Sequence, residues 1–248
     1  MTDLSKYIDK YGLLGRLQRD GSLDGGDSLH KTSHYGVYTA LAHTALFRTA
    51  VLNCEVSQGV WVRNPDKTKW YSNPNTTSRD QTKAVLCYLG INGFTLALGR
   101  LFRQHLKRLL LFTTNTRNNG SYPTLEEYNS HYQEKPWDGY KWKIPDITLF
   151  EVWALYIRGF RCRILYPFLI ICDLESLIGA ILGKYNGNVD LANDLGAYLL
   201  SQQVMDTPVM WLARKIAKPY LYQRLETYFT NEGEPPLHEY IKPLIESL

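Results

Sequence analysis

The sequence predicts an all-α protein built from paired antiparallel helices, and three observations lead to this fold class. Apolar residues recur at helical spacing along most of the 248 residues, and apparent strands are confined to one short stretch. A hydrophobic content of 44% and an aromatic content of 13% are enough to bury a sizeable core. We therefore expect one helical domain over residues 1–248, with an incomplete (α/α) barrel or toroid as one arrangement of its helix pairs.

Helical spacing predicts the elements in order. A first helix, of about twenty residues, begins soon after an acidic loop and carries Leu41, Ala42, Ala45, Leu46 and Thr49 on one face. Further helices are predicted at 80–89, 94–112, 147–165, 167–182, 190–205, 209–217 and 220–228, with a short segment after Pro236. The chain therefore has roughly eight to ten helices.

Two segments lack helical spacing. In the first, residues 59–77, Val60-Trp61-Val62 and Lys69-Trp70-Tyr71 flank Asn64-Pro65-Asp66, which predicts a short hairpin-like loop. The second, residues 115–145, is rich in Asn, Gly, Pro and Tyr, and we interpret it as a lid or an insertion.

Composition excludes several classes of protein. A net charge of +4 does not favour nucleic acid. The basic face Arg100–Arg108 of the third helix fits a phosphate-binding or membrane-surface face, and a solvated helix face explains it equally well. The four cysteines lie far apart, which argues against a zinc site or a redox dithiol. The amino terminus has no apolar signal region, so we expect a cytoplasmic protein. Asp173 and Glu175 interrupt the most apolar run, which predicts a buried helix and no transmembrane segment.

The most informative stretch is Arg19 to His30, which holds three carboxylates, three glycines and a histidine in twelve residues. Glycine lets the backbone turn where a side chain would clash. Such a loop can aim the oxygens of Asp20, Asp24 and Asp27 at one point, which suits a cation or a polyhydroxylated substrate.

The sequence of this loop offers two possible metal sites. Asp20, Ser22 and Asp24 match the opening of a calcium loop, but Lys31 stands where a bidentate glutamate belongs. Asp27, His30 and His34 have the spacing of ligands on one helix face, but no fourth ligand is apparent. We therefore expect no metal and no cofactor, with a glycine turn that caps the next helix as the alternative.

Arginines accompany this loop in the sequence. Arg63 and Trp61 lie in the irregular segment, and Arg79 opens a helix beside Asp80. Arginine and tryptophan together bind a sugar acid, a phosphate or a carboxylate by bidentate hydrogen bonds and ring stacking. Arg158, on an otherwise apolar helix, either points into a cavity or forms an interhelical bridge to Asp173.

Several short motifs carry a resemblance: Asp24-Gly25-Gly26-Asp27-Ser28, Trp61-Val62-Arg63-Asn64-Pro65, Ser78-Arg79-Asp80-Gln81, and Tyr156-Ile157-Arg158 with Tyr166-Pro167. Together they resemble a group of uncharacterised all-helical proteins of bacteria and their phages, and the likeness covers most of the chain. More loosely, an acidic glycine loop before paired helices resembles the (α/α) barrel and toroid enzymes that degrade polysaccharides. This second resemblance concerns the fold alone.

The second resemblance implies a carbohydrate-active enzyme, either a glycoside hydrolase or a polysaccharide lyase. Inverting hydrolysis needs an acid and a base on opposite faces of the sugar, for which Asp27 and Asp80 are the candidates. A lyase would instead use His30 or Tyr35 as its base. The candidate substrate-binding residues are Asp24, Trp61, Arg63, Arg79 and Arg158. The alternatives are a non-enzymatic phage or bacterial protein with a structural or binding role, and a calcium- or metal-binding protein.

Overall fold

A computed structural model of the chain describes residues 3–41, 47–72, 77, 79–107, 148–182, 188–229, 232–236 and 238–248. Within these residues the protein is all-α, as predicted, with 66% helix, 7% strand and nine helices. The helices are α1 Ser28–Leu41, α2 Arg48–Leu52, α3 Arg79–Ile91, α4 Thr95–Lys107, α5 Thr148–Gly159, α6 Tyr166–Leu182, α7 Asn188–Val204, α8 Pro208–Phe229 and α9 His238–Ser247. The lid or insertion predicted at 115–145 lies outside the described residues.

Three predicted helix boundaries are wrong. The helix expected at 147–165 ends at Gly159, before the left-handed Arg161. The first helix was expected to run on past Leu41, but Phe47 has a left-handed φ of 63°, and α2 begins after it as a separate element. A break was expected between residues 217 and 220, but α8 runs through Pro219 as one helix. Helical spacing alone does not show where the backbone turns or where a helix tolerates proline.

The strands form two small antiparallel hairpins. Strand β1, Arg16–Leu17, pairs with β2, Leu23–Asp24, and β3, Glu55–Ser57, pairs with β4, Val60–Trp61. The predicted hairpin of Val60-Trp61-Val62 with Lys69-Trp70-Tyr71 is therefore wrong. Val60–Trp61 pairs with the preceding strand β3, and Trp70–Ser72 is a 3₁₀ turn. The later segment still meets the earlier one, since the amides of Arg63 and Asn64 both donate to the carbonyl of Tyr71.

Helix α3 lies at the centre of the described fold. It packs against α1, α4, α5 and α7, and all its residues from Gln81 to Gly90 are buried. Helix α1 is also buried from Ser28 to Thr39 although it carries many polar residues. The hydroxyls of Thr32 and Thr39 are hydrogen-bonded within the helix, because they donate to the carbonyls of Ser28 and Tyr35 one turn earlier. Two buried helices therefore begin beside each other at the acidic loop.

Helix α6 differs most from the expectation of a buried helix. Among the described helices, only the segment Arg163–Leu182 is long and apolar enough to cross a membrane, and 22% of it is buried. Asp173, which was expected to interrupt it, lies on its inner side, fully buried. We call its exposed apolar residues the α6 outer face: Ile164, Leu165, Phe168, Ile171, Leu174, Ile178, Ile181 and Leu182.

Candidate functional site

The hairpin β1–β2 begins the acidic loop and uses two of its polar residues for its own turn. The Asp20 carboxylate accepts hydrogen bonds from the backbone amide and the hydroxyl of Ser22, and Gly21 has a φ of +83°. These bonds hold the pKa of Asp20 below its ordinary value. Asp24 follows in the short strand β2, so Asp20 and Ser22 serve the turn of the hairpin.

A second turn, Gly25–Asp27, connects the hairpin to α1. The Asp24 carboxylate accepts the amide of Gly26, and the amide of Ser28 donates to the carbonyl of Gly25. A Cβ atom at Gly25 would lie about 3.0 Å from the side chains of Asn64 and Tyr71, so any larger residue would have to push these side chains aside. The turn is therefore pinned against the segment that follows β4.

Arg63 joins this turn to the rest of the site. Its Nη1 donates to the Gly26 carbonyl at 2.9 Å and to the Asp27 carboxylate at 3.3 Å. Its guanidinium also lies 5.3 Å from the centre of the Trp70 ring, which is a cation–π contact. The Gln81 amide donates to the same Gly26 carbonyl at 3.3 Å, so the first turn of α3 meets the turn that precedes α1.

The candidate residues of these segments have different surroundings. Asp24 is exposed, and 59% of the Asp27 side chain is exposed above the buried Arg63. Arg79 and Asp80 open α3 directly before Gln81, and their side chains lie outside the described part of the structure. Trp61, which was expected to stack on a sugar ring, is buried in the core. The half-buried Trp70 lies at this site in place of Trp61. The sequence of the loop does not indicate which of the two tryptophans is exposed.

The two candidate lyase bases lie inside the protein. His30 and Tyr35 are both buried on α1. The Nε2 atoms of His30 and His34 are 3.2 Å apart, so one ring donates to the other. Their spacing places them on one face of α1, as predicted, but Asp27 turns to Arg63 and solvent instead. In the described parts of the chain, no three acidic, histidine or cysteine side chains converge as metal ligands.

Arg158 forms the bridge that was the alternative to a cavity-facing arginine. Its guanidinium donates to both oxygens of Asp173, at 2.8 and 2.7 Å, and its Nε donates to the Met205 carbonyl. Arg158 and Asp173 are both 0% exposed. The guanidinium therefore joins α5 to α6 and has no exposed surface on which to bind a substrate, which corrects its assignment as a substrate-binding residue.

A buried charged cluster lies deeper between the helices, and we call Lys83, Glu151 and Glu175 the interior cluster. The Lys83 ammonium of α3 pairs with the Glu151 carboxylate of α5, and the Glu175 carboxyl of α6 accepts the backbone amide of Glu151. Burial, together with the charge of Glu151, raises the pKa of Glu175 to about 9. Glu175 is therefore neutral near pH 7, and the pair of Lys83 and Glu151 balances its own charge.

Sequence reasoning missed the interior cluster. Its three members come from three helices that are distant in the chain, so no local motif connects them. The available signal was a charged residue at a position where the helical spacing is apolar, as with Glu175 in α6. That signal shows that a partner is needed but does not identify the partner.

Three buried polar atoms belong to the segments that meet at the loop. The Ser28 hydroxyl, the Trp61 indole N–H and the Gln81 amide oxygen have no hydrogen-bond partner among the described residues. Buried polar groups are almost always bonded, and leaving one unpaired costs about 1–3 kcal/mol. All three atoms are also shut off from the protein surface in the described structure.

Comparison with known proteins adds no relative. No protein-family model matches the chain, and no curated protein or solved structure matches it either. The residues that bear on function are therefore those of the loop, Arg63, Trp70 and the start of α3.

Proposed function

We propose that this protein is a carbohydrate-active enzyme, specifically a glycoside hydrolase, whose substrate lies over the turn Gly25–Asp27. One observation carries the proposal: Arg63 and Gln81 both bond to the Gly26 carbonyl, so an exposed carboxylate, an arginine, a tryptophan and the start of α3 lie together. A carboxylate beside an aromatic ring and an arginine suits a hydroxylated, acidic substrate.

The chemistry assigned to this site is inverting hydrolysis. Asp27 is exposed and is held in orientation by Arg63, so we assign it the role of the base that activates water. Asp80, in the first turn of α3, is assigned the role of the acid that protonates the leaving oxygen. Asp24 and Trp70 contact the sugar in this scheme, and Arg79 binds its acidic substituent.

Two earlier alternatives receive less support. A polysaccharide lyase needs a base that touches the substrate, whereas His30 and Tyr35 are buried within α1. An (α/α) barrel or toroid surrounds an open centre, whereas α3 is packed by α1, α4, α5 and α7. The proposal therefore does not depend on the barrel.

The rival function is a non-enzymatic binding or structural protein. It is favoured by the bonds of Arg63 to Gly26 and Asp27, because an arginine can hold a turn in place without any ligand. Under this alternative, the carboxylate of Asp27 serves only the fold.

Incubation of the purified full-length protein with a panel of neutral and uronate-containing oligosaccharides tests the proposal. We expect new reducing ends without the ultraviolet absorbance of an unsaturated uronate, and loss of product in Asp27→Asn and in Asp80→Asn. Asp20→Asn is the matched control, because Asp20 is an exposed carboxylate of the same loop that serves its own turn. Unsaturated product would establish a lyase, and a folded protein without activity on the whole panel would favour the rival.

A further inference from the structure

The α6 outer face is an exposed apolar surface that the proposed site does not use. Ile164 is 87% exposed, Ile181 is 61% exposed and Ile171 is 54% exposed. Soluble monomers rarely leave so many large apolar side chains together in water, and such surfaces mark sites of interaction. At 1.5 Å per residue, Ile164 to Leu182 spans about 28 Å.

The neighbouring helix α8 also exposes apolar side chains. Helix α8 packs along α6, and its first turns expose Trp211 and Leu212. Lys215 lies over the Trp211 ring, 5.8 Å from its centre. Tryptophan and lysine side by side are typical of side chains that lie at the boundary of a lipid bilayer.

Exposed basic residues accompany this face in the described part of the chain: Arg161 and Arg163 lie just before α6, and Lys215 lies on α8. Two acidic residues of the same segments are paired with arginines: the buried Asp173 with Arg158, and the exposed Asp206 with Arg214 at 2.5 and 2.8 Å. Glu175, on the same helix, is neutral near pH 7 because burial raises its pKa to about 9.

We propose that the α6 outer face, together with the start of α8, binds the surface of an anionic phospholipid bilayer. Apolar and aromatic side chains enter the boundary between headgroups and acyl chains, and Arg161, Arg163 and Lys215 meet the lipid phosphates. This binding is independent of the proposed hydrolase activity.

The charges and the packing favour a bilayer surface over a second copy of this chain and over a membrane-spanning position of α6. In a dimer formed through this face, the basic residues of one copy would need acidic partners on the other copy. Asp173 and Asp206, in the described part of the chain, are already paired with arginines of their own copy. A spanning helix would have to take the buried pair of Asp173 and Arg158 into the bilayer, which is costly. A helix that lies in the surface keeps that pair inside the protein.

Vesicle flotation of the full-length protein tests the proposal. We expect binding to vesicles of phosphatidylcholine mixed with phosphatidylglycerol and much weaker binding to phosphatidylcholine alone. The double variant Ile171→Glu/Ile178→Glu should lose binding, and Arg163→Gln or Lys215→Gln should weaken it roughly fivefold each, the effect of one basic side chain near such a surface. Leu96→Glu is the matched control, because Leu96 is 80% exposed on α4, outside this face.

Three results would overturn the proposal: no binding to either vesicle, equal binding to both, or equal loss in Leu96→Glu. Light scattering after size-exclusion chromatography measures whether the protein is a dimer. If the natural protein is a dimer that does not bind vesicles, and Ile178→Glu is a monomer, the face serves self-association instead. Circular dichroism of every variant establishes that a loss of binding is not a loss of fold.

Discussion

The Arg158 guanidinium and the Asp173 carboxylate form two parallel hydrogen bonds of 2.8 and 2.7 Å inside the protein, where neither residue is exposed. The Thr207 hydroxyl donates to the same carboxylate, so the pair connects α5, α6 and the start of α8. This network fixes the helix whose outer face is apolar.

Removing one member of this pair is expected to be costly. Arg158→Met or Asp173→Leu leaves an unpaired buried charge, which should lower the free energy of unfolding by about 3–5 kcal/mol. The double variant should lose less than the sum of the two single losses, because neither charge is then left unpaired.

Urea unfolding of the three variants measures this coupling. Arg19→Ala is the control, because the Arg19–Glu232 pair is highly exposed and 3.5 Å apart, and its loss should not change stability measurably. Additive losses in the double variant would mean that the two charges are not coupled.

The close approach of α1 to α3 depends on Gly36. A Cβ atom at this position would overlap the Tyr88 ring, and Tyr88 is held by the bond from its hydroxyl to the Arg48 carbonyl. We expect Gly36→Ala to lower the free energy of unfolding by about 1–3 kcal/mol, as overpacking does in other cores.

Gly99→Ala is the matched control for Gly36→Ala. Gly99 lies within helix α4, and a Cβ atom there meets nothing within 4 Å. Alanine should therefore raise stability by up to about 1 kcal/mol, because glycine weakens a helix interior. Thermal unfolding of both variants checks the pair, and wild-type stability in Gly36→Ala would mean that α1 and α3 do not approach this closely.

Trp61 is expected to serve the core, whereas Trp70 is expected to serve the proposed site. Trp61 is buried in the core, so Trp61→Ala should lower the free energy of unfolding by about 3–5 kcal/mol. Trp70 is half-buried against Arg63, so Trp70→Ala should cost less stability and should weaken binding of the substrate. Thermal unfolding together with product formation distinguishes the two, and equal loss of stability in both variants would contradict the assignment of Trp70 to the site.

The sequence predicted those features that depend on local spacing. Helix α3 was placed at 80–89 and is observed at Arg79–Ile91, because its apolar residues recur regularly and Gly90 lies near its end. Asp27 and Arg63 were both chosen as site residues, and the structure brings them together. Asp27 was informative because it follows two glycines, and Arg63 because it lies in an irregular segment two residues after Trp61.

Features that depend on distant residues could not be predicted in the same way. Nothing local distinguishes the buried Trp61 from the half-buried Trp70, since exposure depends on which helix covers the loop. The pairing of Lys83 with Glu151 likewise joins two helices that no spacing rule relates. The outer face of α6 was taken for a core surface because composition alone cannot tell apolar residues in contact from apolar residues in water.

Glu175 makes the stability of the protein depend on pH. Its pKa is raised from an ordinary value of 4.5 to about 9, mainly by burial and further by the charge of Glu151. Between these values the folded chain holds a proton that the unfolded chain has lost. The free energy of unfolding should therefore fall as pH rises through this range, by up to about 1 kcal/mol per pH unit, and the effect is absent below the lower value.

Glu175→Gln tests this dependence because glutamine is always neutral and keeps an oxygen that can accept the Glu151 amide. The variant should gain stability over the natural protein as the pH rises, with little gain near about pH 5 and more near about pH 8. Urea unfolding at several pH values measures the difference, with Glu232→Gln as the control, because the Glu232 side chain is 77% exposed. A difference that stays constant with pH would mean that Glu175 is ionised in the folded protein, and that the interior cluster then carries a net negative charge.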